Sequence, residues 1–142
     1  MTGRAEKTEQ THQLSVLLAD DHARVLAQAR ELLSPTYQIA GTVTDGVRAL
    51  EAVEKLHPDI IVLDIAMPKK DGIETARAIR SSGCTAKILF LTVLDDEAYI
   101  TAARSVANGY VLKSRMYSDL PRAIEDALAG RFFVSSRQAP PR

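Results

Sequence analysis

The sequence predicts an α/β fold: a doubly wound parallel sheet of five strands, built from five successive (βα) units. Three observations predict it. Short apolar, β-branched runs alternate with segments of helical spacing between Leu14 and Val134. Four of those runs are apolar on both faces, as parallel strands covered on both sides must be. Five units in about 120 residues suit a small open sheet, whereas a closed barrel needs eight units and about 250 residues.

Each element has its own signal. Residues 1–13 (MTGRAEKTEQTHQ) show no apolar periodicity and read as a flexible arm. The first strand is Val16–Ala19. Val25, Ala29, Leu32 and Leu33 follow at i, i+4, i+7, i+8, and Pro35 closes that helix. Tyr37–Val43 is weaker, is interrupted by Gly41, and reads as an edge strand. Val47, Leu50 and Val53 repeat at three, with Pro58 beyond them. Ile60–Leu63 is wholly apolar and gives the third strand. Ile73, Ala76 and Ile79 give the third helix, and Ile88–Leu91 the fourth strand. Asp95 is placed to cap a helix carrying Ile100, Ala103, Val106 and Ala107. Tyr110–Leu112 is the fifth strand. Ser118 is placed to cap the last helix, with Leu120, Ile124, Ala127 and Leu128 inward, Pro121 in the first turn and Gly130 as the stop. Residues 135–142 end in Ala-Pro-Pro-Arg and read as a tail or the start of a linker.

Composition bounds the function. The 142 residues, 15.5 kDa, make one ordinary domain, so the division is 1–13 arm, 14–134 domain, 135–142 tail. Hydrophobic residues at 46% and charged residues at 25% are a globular mix. Eighteen basic residues balance 18 acidic ones, which argues against a dedicated nucleic-acid surface. No apolar run approaches the roughly 20 residues that cross a bilayer. The polar start is no secretory signal, and Cys84 alone can form no internal disulfide. A cytoplasmic domain is expected.

In doubly wound sheets ligands sit outside the carboxyl ends of the strands. After the first strand come Asp20 and Asp21, after the third Asp64, after the fourth Thr92, after the fifth Lys113. Three carboxylates brought together repel, and a hard divalent ion with oxygen ligands, Mg²⁺ first among them, relieves the repulsion. Asp64 ends a wholly apolar strand and is the best candidate for a carboxylate nucleophile accepting a phosphoryl group. The ion can neutralise one side of that group and Lys113 another, while the Thr92 hydroxyl donates to a phosphoryl oxygen.

At these residues the chain resembles the receiver domain of two-component response regulators. The motifs are Val16-Leu17-Leu18-Ala19-Asp20-Asp21-His22, Pro58-Asp59-Ile60-Ile61-Val62-Leu63-Asp64-Ile65-Ala66-Met67-Pro68, Asp71-Gly72, Leu89-Phe90-Leu91-Thr92 and Gly109-Tyr110-Val111-Leu112-Lys113-Ser114. The resemblance implies a flavodoxin-like sheet of order 2-1-3-4-5. It implies Asp64 as phosphoacceptor, Asp20 and Asp21 on Mg²⁺ with the Ala66 carbonyl, Thr92 and Tyr110 as a switch pair, and Lys113 on the phosphoryl group or Asp64. It implies a phosphohistidine donor on a sensor histidine kinase or phosphotransfer protein, a homodimer, no enzymatic activity beyond the domain's own phosphorylation chemistry, and no nucleic-acid or membrane contact by this domain. The Asp-Asp-His opening and the ending Ala129-Gly130-Arg131-Phe132-Phe133-Val134-Ser135-Ser136 look most like the NarL/FixJ subgroup, whose receivers precede a LuxR-type DNA-binding domain.

Departures from the family pattern matter too. Ser114 follows Lys113 where many receivers have proline, so that peptide bond is expected to be trans. Val93 follows Thr92, and its branched side chain is expected to narrow access to Asp64. Ala66 and Leu94, two residues beyond Asp64 and Thr92, carry nothing that can orient a hydrolytic water. His22 sits beside the acids and reads as a surface residue at a helix start, with a role in the site as the alternative, and His57 reads as a solvated loop residue. Three other classes compete: an aspartyl-phosphate hydrolase, a flavodoxin-like cofactor binder, and a receiver used only for protein contacts. The hydrolase would need Asp-x-Asp after its first strand. The cofactor binder would need a Ser/Thr/Gly-rich loop there, where Asp20 and Asp21 would repel phosphate.

Overall fold

The computed structural model describes residues 13–136. Residues 1–12 of the expected arm and 137–142 of the expected tail lie outside the described residues. The elements run β1 (Ser15–Ala19), α1 (Ala23–Leu33), β2 (Gln38–Val43), α2 (Gly46–Leu56), β3 (Ile60–Leu63), α3 (Gly72–Ser81), β4 (Lys87–Thr92), α4 (Glu97–Arg104), β5 (Gly109–Leu112), α5 (Met116–Leu128) and β6 (Phe133–Val134). Every strand pairs parallel to its neighbours, in the order β2-β1-β3-β4-β5-β6. The doubly wound parallel sheet is as predicted. The strand count is corrected from five to six.

Period-two alternation divides the core. Leu17, Ile61, Leu63, Ile88, Phe90 and Tyr110 point to one face, where Ala49, Val53, Ile73, Ile79, Ile100 and Ala103 from α2, α3 and α4 cover them. Val16, Leu18, Ile60, Val62, Leu89, Leu91 and Val111 point to the other, under Ala29 and Leu33 of α1 and Leu120, Ile124 and Ala127 of α5. Burying one such aliphatic side chain contributes about 1.5–3 kcal/mol, so these two layers dominate the folding energy. Among the described residues no helix is long and apolar enough to cross a membrane.

Helix ends differ from the sequence reading in detail. Asp96, not Asp95, caps α4 by accepting from the Ala98 amide at 2.8 Å. Asp71 and Glu74 form a reciprocal capping box that starts α3. Residues Lys113–Arg115 form a short 3₁₀ turn that leads directly into α5 at Met116. Ser118 and Pro121 therefore lie inside that helix rather than at its entry. Gly130 adopts φ of 85° and stops the chain from continuing as helix.

The sixth strand comes from a run that reads as the end of the domain. Its two residues make too short a pattern to be recognised. Phe133 and Val134 pair with Gly109 and Tyr110, so β5 is an interior strand rather than the sheet's edge. Polar contacts pin the chain just beyond β6. The Ser135 amide donates to the Tyr110 carbonyl at 3.0 Å, and the Ser135 hydroxyl donates to Asp119 Oδ2 at 2.8 Å while accepting from the Leu112 amide at 3.1 Å. Asp119 is buried and also accepts from Arg115 Nε at 3.1 Å and from the Ser118 hydroxyl at 3.0 Å. Burial pushes the Asp119 carboxyl up, but the hydrogen bonds from Ser135, Ser118 and Arg115 outweigh it and hold it below the ordinary carboxylate range. A depressed carboxyl pKa contributes stability that is present above the unfolded-state value and is lost as pH falls through the folded-state value. Ser135→Ala is expected to lower the melting temperature at neutral pH, and the gap from wild type is expected to close as the solution is acidified. Thermal unfolding across the acid range measures both.

Candidate functional site

The site lies where the connectivity reverses, between the carboxyl ends of β1 and β3. Ala19 pairs with Leu63, so the next residue of each strand, Asp20 and Asp64, emerges on the same rim. The ladder continues one step to fix them: the Asp64 amide donates to the Ala19 carbonyl and the Asp20 amide to the Val43 carbonyl, each at 3.0 Å. Gly72 supports Asp64 from behind. A methyl group at Gly72 would collide with the Asp64 carbonyl, so only glycine allows α3 to start this close.

Lys113, at the end of β5, reaches into the rim. Its Nζ lies 2.8 Å from Asp20 Oδ2 and 3.0 Å from Asp64 Oδ2, and its side chain is only 10% exposed. Asp64 Oδ1 accepts from the Ile65 amide at 2.7 Å. Asp21 is the more open acid, with a side chain 37% exposed. Burial and the neighbouring Asp20 charge push the Asp64 carboxyl above its ordinary pKa, against the opposing pull of Lys113 and Thr92. Burial works against the Lys113 ammonium, but Asp20 and Asp64 outweigh it and raise its pKa, so it stays charged.

Three carboxylates against one ammonium leave the pocket negative. Asp20 Oδ2 is buried and accepts no hydrogen bond of good geometry, although the Lys113 ammonium stands beside it as an ion-pair partner. Ligand atoms of Asp20, Asp21, His22 and Asp64 all lie within 4.8 Å of one another. A buried oxygen without a well-aligned hydrogen bond, in a tight, oxygen-rich, negative pocket, suits a hard divalent cation. Ala66 is exposed in the loop two residues beyond Asp64.

Thr92 and Tyr110 are both fully buried. They meet at the backbone of Leu94 in the loop before α4. The Leu94 amide donates to Thr92 Oγ1 at 3.2 Å, and the Tyr110 hydroxyl donates to the Leu94 carbonyl at 2.7 Å. The Tyr110 ring already lies inside, packed edge-on against Phe90. Val93, in contrast, is 68% exposed. The structure thus brings Asp20, Asp21, Asp64 and Lys113 together and joins Thr92 to Tyr110 through the backbone of one residue.

Two participants escaped the sequence reading. His22, expected at the surface, remains largely exposed, yet its Nδ1 lies 3.0 Å from Asp20 Oδ1 and 3.3 Å from Asp21 Oδ1. Its adjacency to the acid pair was the available signal. The Leu94 backbone left none, because a main-chain contact does not depend on residue type.

Comparison with known proteins agrees with this geometry. The response regulator receiver domain family model matches residues 16–125. The nitrate/nitrite response regulator protein NarL of Escherichia coli K12 is 33% identical over 129 residues, covering 89% of this chain and 60% of that protein. The chain therefore spans about three-fifths of that relative's length. A LuxR-family two-component response regulator from Aurantimonas sp. SI85-9A1 superposes with a TM-score of 0.80 at 35% identity, covering 85% of this chain and 89% of that one. The isolated REC domain of RcsB from Salmonella enterica serovar Typhimurium, solved with the phosphomimetic BeF3-, gives 0.80 at 27% identity over 88% of this chain and 95% of that one. With its parallel sheet, its acidic rim at the switch point and these matches, the chain belongs to the receiver domain family of two-component response regulators, in its NarL/LuxR-type branch.

Proposed function

We propose that Asp64 is the phosphoacceptor of a signalling switch. The observation that carries this reading is the Asp64 carboxylate itself, held at the switch-point rim with Lys113 Nζ at 3.0 Å and Asp20 beside it. The donor is a phosphohistidine on a sensor histidine kinase or phosphotransfer protein. An Asp64 oxygen attacks phosphorus, the P–N bond breaks, and the imidazole leaves with the bonding pair. Asp20 and Asp21 would hold Mg²⁺ together with Asp64 and the Ala66 carbonyl. Bound Mg²⁺ supplies charge neutralisation for the incoming phosphoryl oxygens. Lys113 neutralises the other side, and its elevated pKa keeps it charged at neutral pH.

The Thr92 hydroxyl is the group that responds. When it turns to donate to a phosphoryl oxygen, its acceptor bond from the Leu94 amide is lost. The Tyr110 hydroxyl holds the Leu94 carbonyl from the other side, so the loop before α4 and the ring move together. The remaining proposals rest on this switch. Residues 14–134 form the receiver, flanked by an arm and a linker. The receiver forms a homodimer and controls a DNA-binding output domain in the cytoplasm. The receiver itself contacts no nucleic acid and turns over no separate substrate.

The deciding experiment adds Mg²⁺ and beryllofluoride and tracks amide spectra of wild type and Asp64→Asn. Shifts at Thr92, Leu94 and Tyr110 in wild type only are expected; equal shifts in the variant, or none in either protein, refute the reading. A raised carboxyl pKa costs stability above the folded-state value, and that cost vanishes as pH falls through it. In metal-free buffer Asp64→Asn is therefore expected to melt a few degrees above wild type at neutral pH, with Lys113 still paired to Asp20. Calorimetry checks this, and added Mg²⁺ should shrink the gap. Because neither Ala66 nor Leu94 has a side chain that can orient water, phospho-Asp64 is expected to decay slowly. Radiolabel loss measures it, and a half-life of seconds contradicts the expectation.

A further inference from the structure

We propose that His22 is a nitrogen ligand of the cation site, so that this chain binds a borderline divalent ion such as Zn²⁺ more tightly than Mg²⁺. The inference rests on the metal reading of Asp20, Asp21 and Asp64 given above and adds to it an imidazole and a different metal preference.

His22 occupies the N-cap position of α1, yet its side chain makes no capping hydrogen bond. Its backbone amide donates instead to Asp20 Oδ1 at 2.8 Å, which folds the residue back over the acids. The imidazole Nδ1 then sits 3.0 Å from Asp20 Oδ1 and 3.3 Å from Asp21 Oδ1. The first contact is a hydrogen bond; ligands bonded to one ion at about 2.0–2.2 Å are also neighbours at roughly 3 Å, so an ion could take the place of the shared proton without moving these atoms far. Lys113 Nζ stands 3.4 Å from the same nitrogen, and it also touches Asp20 Oδ2 at 2.8 Å and Asp64 Oδ2 at 3.0 Å. A positive charge thus already stands beside the imidazole and two of the acids. Asp20 Oδ2 is buried and has the Lys113 ammonium beside it but no hydrogen bond of good geometry, so a lone pair remains for an ion.

Donor type decides which ion gains. Mg²⁺ takes oxygen ligands in a strict octahedron and keeps several waters, so an imidazole offers it little. Zn²⁺ and its neighbours in the first transition row bind imidazole well and tolerate lower coordination numbers. The His22 side chain is 63% exposed, so it can settle onto an ion without disturbing the core. Asp20, Asp21 and Asp64 serve both ions, and His22 serves only the softer one.

The test titrates the chain with Mg²⁺ and with Zn²⁺ and reads each Kd from the Asp21 amide resonance. That local probe matters because His57 and Cys84 line one groove elsewhere on the molecule. The Zn²⁺ Kd is expected to lie at least about tenfold below that for Mg²⁺. His22→Ala should raise the Zn²⁺ Kd about tenfold and leave the Mg²⁺ Kd within about twofold. Zn²⁺ should also displace the His22 Nδ1 nitrogen resonance in wild type. A variant that weakens both ions equally, or neither, overturns the inference, as does an Nδ1 resonance unmoved at saturating Zn²⁺. Those results leave the phosphoacceptor reading intact if Mg²⁺ still binds and Asp21→Asn abolishes that binding. A wild type that binds neither ion at this rim overturns both.

Discussion

The structure turns on an imbalance of charge at one rim of the sheet. Asp20 and Asp64 are nearly inaccessible, and a single ammonium, Lys113, stands between them. Removing Lys113, the one cation both acids share, costs about 3–5 kcal/mol, because buried carboxylates are then left charged in a poor solvent. The pair is nevertheless incomplete, since two buried carboxylates share one cation and Asp21 adds a third negative charge nearby. A pocket built this way is stable enough to fold and negative enough to take up a cation. Burial first, and the Asp20 charge second, hold the Asp64 pKa above its ordinary value.

The opposite rim is finished. Arg80 at the end of α3 donates to the carbonyls of Val106, Cys84 and Ala86 and to Asn108 Oδ1. The same Asn108 oxygen accepts from the Ile88 amide at 2.9 Å, which ties this network to β4. Burial lowers the Arg80 pKa, yet the guanidinium meets four acceptors and no carboxylate. One end of the sheet is therefore a closed network of hydrogen bonds, while the other gathers uncompensated acid.

Between the rims, β4 and β5 hold the loop before α4 through its backbone. The Leu94 backbone is held by Thr92 on one side and by Tyr110 on the other. Tyr110 is in turn bonded through its own carbonyl to Ser135, beyond β6. The loop before α4 and the segment beyond β6 are thus connected through successive hydrogen bonds on β4 and β5. Phe132 adds a further anchor by lying under the Arg104 guanidinium, 4.6 Å from ring centre to charge.

Alternation of apolar runs with helical spacings determined the sheet, its parallel sense and its two covered faces, because burial on both sides leaves a periodic mark. Asp20, Asp21, Asp64, Thr92 and Lys113 were legible because each lies at the end of a strand or just beyond it, and parallel strands bring their carboxyl ends to one edge. Other features left no such mark. Phe133 and Val134 form a strand only because β5 offers an unpaired edge beside them, and two residues are too few to show a period. The start of α5 moved to Met116 because the turn at Lys113 flows into it, which placed Pro121 inside the helix against its usual preference. His22 became a neighbour of the acids, and Ser135 a partner of Asp119, through distances that exist only once the chain has closed. Pattern along the chain determined which residues share a rim; packing in three dimensions decided which of them touch, since contact depends on separation in space and not on order in sequence.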